Sequence, residues 1–260
     1  MNQTDRLNYL IDYLLEERRE AGKVSVPESF AEKRRLFRGL VNLRPPEPAG
    51  REFLAVQDEF LKAENVERGM VHAVGLPAVP AHGRISLWQG DICRLKIDAI
   101  VNAANSQLLG CFIPNHHCID NAIHSAAGIQ LREHCHKIME AQGHEEPAGQ
   151  AKVTPGYNLP TRYVIHTVGP IVPGELSAAE EQELSSCYTS CLAAAAELKI
   201  RSLAFCCIST GVFGFPQNRA AEIAVKTVTA FLDKHKTIEQ VVFNVFTHED
   251  YRIYQELLYG

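Results

Sequence analysis

Apolar residues in the first 70 positions recur at helical spacing. Leu7, Leu10, Ile11, Leu14 and Leu15 share one face of a 3.6-residue period, behind Thr4 or Asp5 as candidate caps. A second run, Phe30, Phe37, Leu40 and Val41, follows Ser25-Val26-Pro27-Glu28. That segment reads as a capping box, with Pro27 in the first turn where its missing N–H is harmless. Arg44-Pro45-Pro46-Glu47-Pro48 ends this helix, and Phe53, Leu54, Phe60 and Leu61 predict a third. Gly75–Gly83, with Pro77 and Pro80, reads as a linker. The expected organisation is a helical extension over 1–70, a linker over 71–84 and a second unit over 85–260.

From Ile85 the pattern changes to strands alternating with helices. Strands are expected at Ile85–Trp88, Ala99–Asn102, Tyr163–Thr167, Ser202–Cys206 and Gln240–Asn244. Helices are expected at Asp120–Met139, Ala178–Leu198, Pro216–His235 and Asp250–Leu258. This alternation predicts an α/β unit with a mostly parallel sheet covered on both faces. Ligands of such sheets bind beyond the carboxyl ends of the strands. The loops after Trp88, Asn102, Thr167 and Cys207 are therefore the places for a site.

Composition narrows the function classes. The 260 residues are 46% hydrophobic and 22% charged, ordinary for a folded globular chain. Lys plus Arg number 26 against 31 Asp plus Glu, a net charge of −5 that argues against a nucleic-acid binder. Residues 1–69 hold 12 Lys/Arg and 13 Asp/Glu, and such dense mixed charge reads as solvated helix faces. No apolar run reaches the roughly 18 residues of a membrane helix. Acids inside the first apolar stretch argue against a signal or transit peptide, so a cytoplasmic setting is expected.

In a reducing setting the 8 cysteines are thiols, ligands or nucleophiles rather than a disulfide framework. Gly110-Cys111-Phe112-Ile113-Pro114-Asn115-His116-His117-Cys118 places two thiols and two imidazoles in one loop. Cys-x4-His-x-Cys can converge on one zinc ion, although the spacing matches no standard zinc finger. Three ligands suit a catalytic zinc with an open position, whereas a structural zinc would recruit His117, Asp120 or His124 as a fourth. His116 and His117 point apart, and chemistry alone does not choose between them.

Ser209-Thr210-Gly211-Val212-Phe213-Gly214-Phe215-Pro216 leads into a helix, and its small residues let backbone N–H groups approach a phosphate. Gly90-Asp91-Ile92 follows a strand, where a carboxylate accepts from an exocyclic amine such as that of adenine, or caps a turn. Phe246 stacks on a base or packs in the core. Cys187 and Cys191 at i, i+4, and Cys206-Cys207 in a strand, read as structural. His134-Cys135-His136 is discounted as a metal group, because neighbours on a helix diverge.

Together these segments resemble a macrodomain, the α/β/α module that binds ADP-ribose. The resemblance runs from about Ile85 to the C-terminus. It is carried by Gln89-Gly90-Asp91-Ile92, Asp98-Ala99-Ile100-Val101-Asn102-Ala103-Ala104-Asn105, Ile119-Asp120-Asn121-Ala122-Ile123-His124, Ala151-Lys152-Val153-Thr154-Pro155-Gly156-Tyr157-Asn158-Leu159-Pro160, His166-Thr167-Val168-Gly169-Pro170 and Ile208–Pro216. Where common hydrolytic macrodomains carry a glycine run, Gly110–Cys118 here carries cysteine and histidine. This looks like the zinc-containing subclass, which also has a helical N-terminal extension.

The resemblance implies a three-layer α/β/α fold with a mixed, mostly parallel sheet. It implies a zinc-dependent mono-ADP-ribosyl hydrolase, a glycosidase acting on carboxylate-linked ADP-ribose. A modified protein, such as a lipoylated carrier, is the implied partner, and free ADP-ribose the implied ligand. It selects Cys111, His116 and Cys118 as the zinc ligands. Asp91 and Ile92 would read the adenine against Phe246. Ser209, Thr210, Gly211, Val212 and Phe213 would cradle the diphosphate, with Cys118, Ile119 and Asp120 on its other side. Asn105 would hold the distal ribose, and Asp120 would act as base or stabilise the sugar cation. The competing expectations are a non-catalytic ADP-ribose reader with a structural zinc, and an interaction protein whose N-terminal helices dock a partner.

Overall fold

The computed structural model describes all 260 residues. Helices α1 (Gln3–Glu17), α2 (Phe30–Leu43) and α3 (Arg51–Glu67) form an N-terminal layer. Their apolar stripes meet in a core of their own that includes Leu7, Leu14, Phe37, Phe53 and Phe60. Two caps differ from expectation. Asn2, not Thr4 or Asp5, caps α1 by accepting from the Asp5 N–H. Ser29, not Ser25, caps α2, accepting from the Glu32 N–H. Ser29-Phe30-Ala31-Glu32 has the same spacing as the segment four residues earlier, and only Ser29 lies where the apolar stripe begins.

The rest of the chain builds a two-stranded pair, β1 (Val71–His72) with β4 (Leu95–Lys96), and a seven-stranded sheet. The sheet contains β2 (Ala78–Val79), β3 (His82–Gln89), β5 (Ala99–Ala104), β6 (Ala151–Pro155), β7 (Tyr163–Val168), β8 (Ser202–Phe205) and β9 (Gln240–Val245). Their spatial order is β2-β3-β9-β8-β5-β7-β6. The five central strands are parallel, and only the edge strands β2 and β6 run antiparallel. Segment 71–84, expected as a linker, thus supplies β1, β2 and the start of β3. Val79 lies buried within it, so the prolines punctuate a short edge strand rather than a free tether.

Helices α4 (Ile119–Ala127), α5 (Ile129–Gln142), α6 (Ala178–Glu197), α7 (Gln217–Lys234) and α8 (His248–Tyr259) complete the unit around one large core. The helix expected over 120–139 is two helices, broken at Gly128. Its φ of +98° is a glycine conformation, and a Cβ there would lie 2.7 Å from Gln57 Nε2. The break therefore brings the backbone against α3. No helix is long and apolar enough to cross a membrane.

The N-terminal layer docks on α4 and α5 through polar contacts. Gln57 bonds Gln130 and the Ile129 N–H, Asn65 donates to Asn158 O, and Arg132 donates to three carbonyls at the end of α2. Asn42, Arg44, Gln57 and Asn65 are buried, so these helix faces are not solvated as their charge density suggested. Cys206 is buried but β8 stops at Phe205, and Cys207 lies beyond the strand.

Candidate active site

Strands β5 and β8 are neighbours, and the chain leaves them toward opposite sides of the sheet. This is the topological switch point at which an open α/β sheet leaves a crevice. The loop after β5 carries Cys111–Cys118, and the loop after β8 carries Ser209–Pro216.

The β5 loop folds back on itself through left-handed residues Leu108, Gly110 and Asn115. Its return brings Cys111 Sγ, His116 Nδ1 and Cys118 Sγ within 4.8 Å of one another, with Cys111 Sγ 3.4 Å from His116 Nδ1. Two thiols and an imidazole nitrogen, half-buried and convergent, fit a tetrahedral zinc with one position left open. His117 does not join them; it is exposed and lines a groove against α2. The loop is braced from outside. Asn121 Nδ2 donates to Ile113 O (3.1 Å), Arg38 Nη2 donates to His116 O (2.9 Å), and the Asn115 N–H donates to Asn42 Oδ1 (2.8 Å). Burial pushes the Cys118 thiol up to about 11, opposed by the Asn121 N–H.

Cys118 is also the N-cap of α4, its Sγ accepting from the Asn121 N–H at 3.4 Å. Ile119 and Asp120 therefore occupy the first turn, and their N–H groups have no partner in the chain. Asp120 is buried and accepts from Asn102 Nδ2 at 2.8 Å. Burial raises its carboxyl to about 6, against the opposing Asn102 hydrogen bond and the Arg132 charge. Asn102 Nδ2 also lies 3.1 Å from His166 Nδ1, which must then accept, so His166 Nε2 carries the proton and donates to Thr154 Oγ1 (3.0 Å). The chain Asp120–Asn102–His166–Thr154 holds the carboxyl in place.

On the opposite loop, the N–H groups of Thr210, Gly211, Val212 and Phe213 donate to nothing within the chain. Four such consecutive donors, with Ser209 at φ +65°, form a concave anion cradle. The buried Ser209 Oγ has no partner, and a Cβ at Gly169 would lie 2.0 Å from it, so only glycine lets β7 and this loop approach.

The remaining expected residues are spread along the same edge. Asp91 Oδ1 accepts from the Cys93 N–H (2.9 Å) and caps the 3-10 turn Ile92–Arg94, while Oδ2 meets Arg68 at the end of α3. The turn-capping role is thus real, and the carboxylate keeps further lone pairs. Ile92 is buried beneath it. Phe246 follows the end of β9 and is 75% exposed, so it does not pack in the core. Asn105 braces its own loop, donating to Gly110 O (3.0 Å) and accepting from the Gln107 N–H (3.1 Å).

A second group, His124, Cys135 and His166, also has ligand atoms within 4.8 Å, fully buried. Both His166 nitrogens already serve the network above, so this cluster reads as part of it. His134 and His136 turn away from Cys135, to Tyr157 and Glu140, as helix geometry requires. The sequence reading missed Arg38, Asn42 and Arg132, and it had His166 in a segment of the resemblance without a role. None carries a local signal, because each acts on a segment tens of residues away.

Comparison with known proteins gives the family. The Macro domain family matches residues 101–224. A Protein-ADP-ribose hydrolase from Treponema medium is 48% identical over 260 residues, covering 99% of this chain and 100% of its own. A Protein-ADP-ribose hydrolase from Staphylococcus aureus is 49% identical over 254 residues, covering 96% of this chain and 94% of its own. The Trypanosoma brucei macrodomain, solved in complex with ADP-ribose, superposes with a TM-score of 0.65 at 31% identity, covering 89% of this chain and 96% of that one. With its mixed sheet, its switch-point crevice and relatives alike over nearly their whole length, the chain belongs to the macrodomain family.

Proposed function

We propose that the chain hydrolyses protein-linked ADP-ribose, releasing ADP-ribose from a carboxylate side chain, with zinc held by Cys111, His116 and Cys118. The observation that carries this reading is the juxtaposition at one sheet edge of the convergent Cys₂His donors, the buried Asp120 and the unpaired N–H groups of Thr210–Phe213. The named activity of relatives alike along nearly the entire chain supports it. The alternative of a pure reader would leave a three-ligand site with an open position unused.

In this reading Thr210–Phe213 and the N–H groups of Ile119 and Asp120 bind the diphosphate, supported by the positive end of α4. Asp91 accepts from the adenine amine, with Phe246 against its face. Asn105 keeps its loop shaped around the distal ribose. Hydrolysis breaks the bond from C1 of that ribose to the side-chain oxygen, and a water hydroxyl takes its place on C1. Cleavage develops oxocarbenium character on the sugar, which the Asp120 carboxylate stabilises, or Asp120 accepts the water proton. Zinc, held by Cys111, His116 and Cys118, would supply a Lewis acid.

The test is release of ADP-ribose from a mono-ADP-ribosylated carboxylate substrate, before and after chelation, with zinc restored and circular dichroism as the folding control. Chelation should slow release about a hundredfold or more with the fold retained, since a catalytic metal supplies several kcal/mol. Full activity of metal-free protein would sink the catalytic role of zinc, and an inactive zinc-loaded protein would favour the reader.

A further inference from the structure

Arg34, Arg35 and Arg38 lie on one face of α2 at helical spacing; Arg34 flanks the apolar stripe, lying over the Phe37 and Phe60 rings, and Arg35 is exposed. Together with Arg68, just past the end of α3, and His117 of the Cys111–Cys118 loop they line a groove of about 610 Å³. A single carboxylate, Glu64, joins this lining and pairs with Arg34 at 2.5 Å. Arg68 is matched by Asp91. Arg38 bonds only neutral acceptors, His116 O and Asn121 Oδ1, and Arg35 is exposed with no ion-pair partner. Two guanidinium charges are thus left unneutralised in one groove of a chain whose net charge is −5. Arg38 also braces α4 and the loop before it, so Arg35 is the charge that the packing of α2 leaves free.

We propose that this groove docks an acidic segment of the protein that carries the ADP-ribose; the inference rests on the hydrolase reading of the adjoining site. One wall of the groove is the metal loop itself, so a chain lying along the arginines passes directly beside Cys118 and the start of α4. Guanidinium forks match carboxylates bidentately, and such charges steer encounter and set preference among substrates. The diphosphate cradle proposed at Thr210–Phe213 is not part of the groove, which separates the two anion-binding functions. A nucleic acid fits less well, because no Phe, Tyr or Trp lines the groove for bases to stack on.

The experiment uses the full chain and fluorescence anisotropy with a short labelled peptide alternating Glu and Gly, and a control alternating Gln and Gly. The acidic peptide should bind and the control should not, with affinity falling as salt rises. Arg35→Glu should weaken the acidic peptide about threefold or more, and Arg35→Lys should keep most of it. Saturating free ADP-ribose should leave peptide affinity unchanged. Equal binding of the control, indifference to Arg35→Glu, displacement by ADP-ribose, or tighter binding of a short oligothymidylate would each overturn the proposal. Rates on peptides ADP-ribosylated at one central Glu, flanked either by the Glu-Gly or by the Gln-Gly repeat, separate the two readings. Release without preference for the acidic peptide rejects the groove alone, whereas specific peptide binding with no release rejects the hydrolase and leaves a docking site.

Discussion

His166 is fully buried, its two nitrogens committed to Asn102 and Thr154, and burial lowers its pKa to about 3. His124 beside it is likewise lowered well below the ordinary histidine value, by burial first and the His166 charge second. The folded-state values lie below the unfolded value of about 6.5, so on acidification the unfolded chain takes up these protons first. Stability supplied by the neutral imidazoles is therefore complete above about pH 6.5 and is lost as pH falls toward 3. For His166 alone the loss between pH 7.5 and pH 5 is about 2 kcal/mol. Urea unfolding at the two pH values should show it, and His166→Gln should be less sensitive to that pH change by about the same amount. An unchanged pH dependence in the variant would refute the assignment. His166 opens one of the segments that carry the resemblance, yet its strand pattern gives no sign of what its side chain bonds. Asp120 and Cys118 were legible because they share one short segment with their neighbours. His166 reaches the same carboxyl only through Asn102, across a strand pairing that local pattern does not encode.

The central strands were legible as elements because they are short apolar runs between turn residues. The caps and the break at Gly128 were not. A glycine inside a helical pattern looks tolerable until the fold presses Gln57 and Asn158 against it. The same limit applies to α2. Asn42 sits in a dense charge pattern and reads as solvent-facing, yet it is 1% exposed. Its Oδ1 receives the Asn115 N–H at 2.8 Å and its Nδ2 donates to Ser125 Oγ at 3.0 Å, tying α2, the Cys111–Cys118 loop and α4 together. An element that shapes a ligand loop from outside acts as a second shell, and losing such a partner lowers metal affinity about 10–100-fold. Asn42→Ala should thus weaken zinc binding by about tenfold or more in competition with a chelating dye, with the helical signal in circular dichroism retained. Wild-type affinity in the folded variant would mean that the loop holds its shape without α2.

At the scale of the molecule, the two apolar cores are joined by a polar seam, and Arg132 of α5 is at its centre. Its side chain is buried, and its Nη1 donates to Val41 O, Asn42 O and Arg44 O, while Nε donates to Leu109 O at 2.7 Å. The guanidinium thereby satisfies the open carbonyls and the negative end of α2, and grips the metal loop in the same gesture. It also lies 4.3 Å from the centre of the Phe112 ring. A buried cation hydrogen-bonded to carbonyls is tolerated because those of Asn42, Arg44 and Leu109 have no other donor in the chain, while Val41 O also accepts from the Arg44 N–H. Removing it leaves these acceptors unpaired, so Arg132→Met should destabilise by about 3 kcal/mol. The loss falls on the seam rather than on either core, which makes the mode of unfolding the sharper readout. Trp88, the single tryptophan, packs against the core of the sheet unit, whereas circular dichroism reports the helices of both layers. In the wild-type chain the seam should keep the two layers cooperative, and both probes should report one urea midpoint. In Arg132→Met the helical signal should begin to fall before Trp88 fluorescence changes, as α1–α3 part from α4 and α5. Coincident curves with an unmoved midpoint would show that the apolar contact through Ile129 suffices and that Arg132 serves the loop alone.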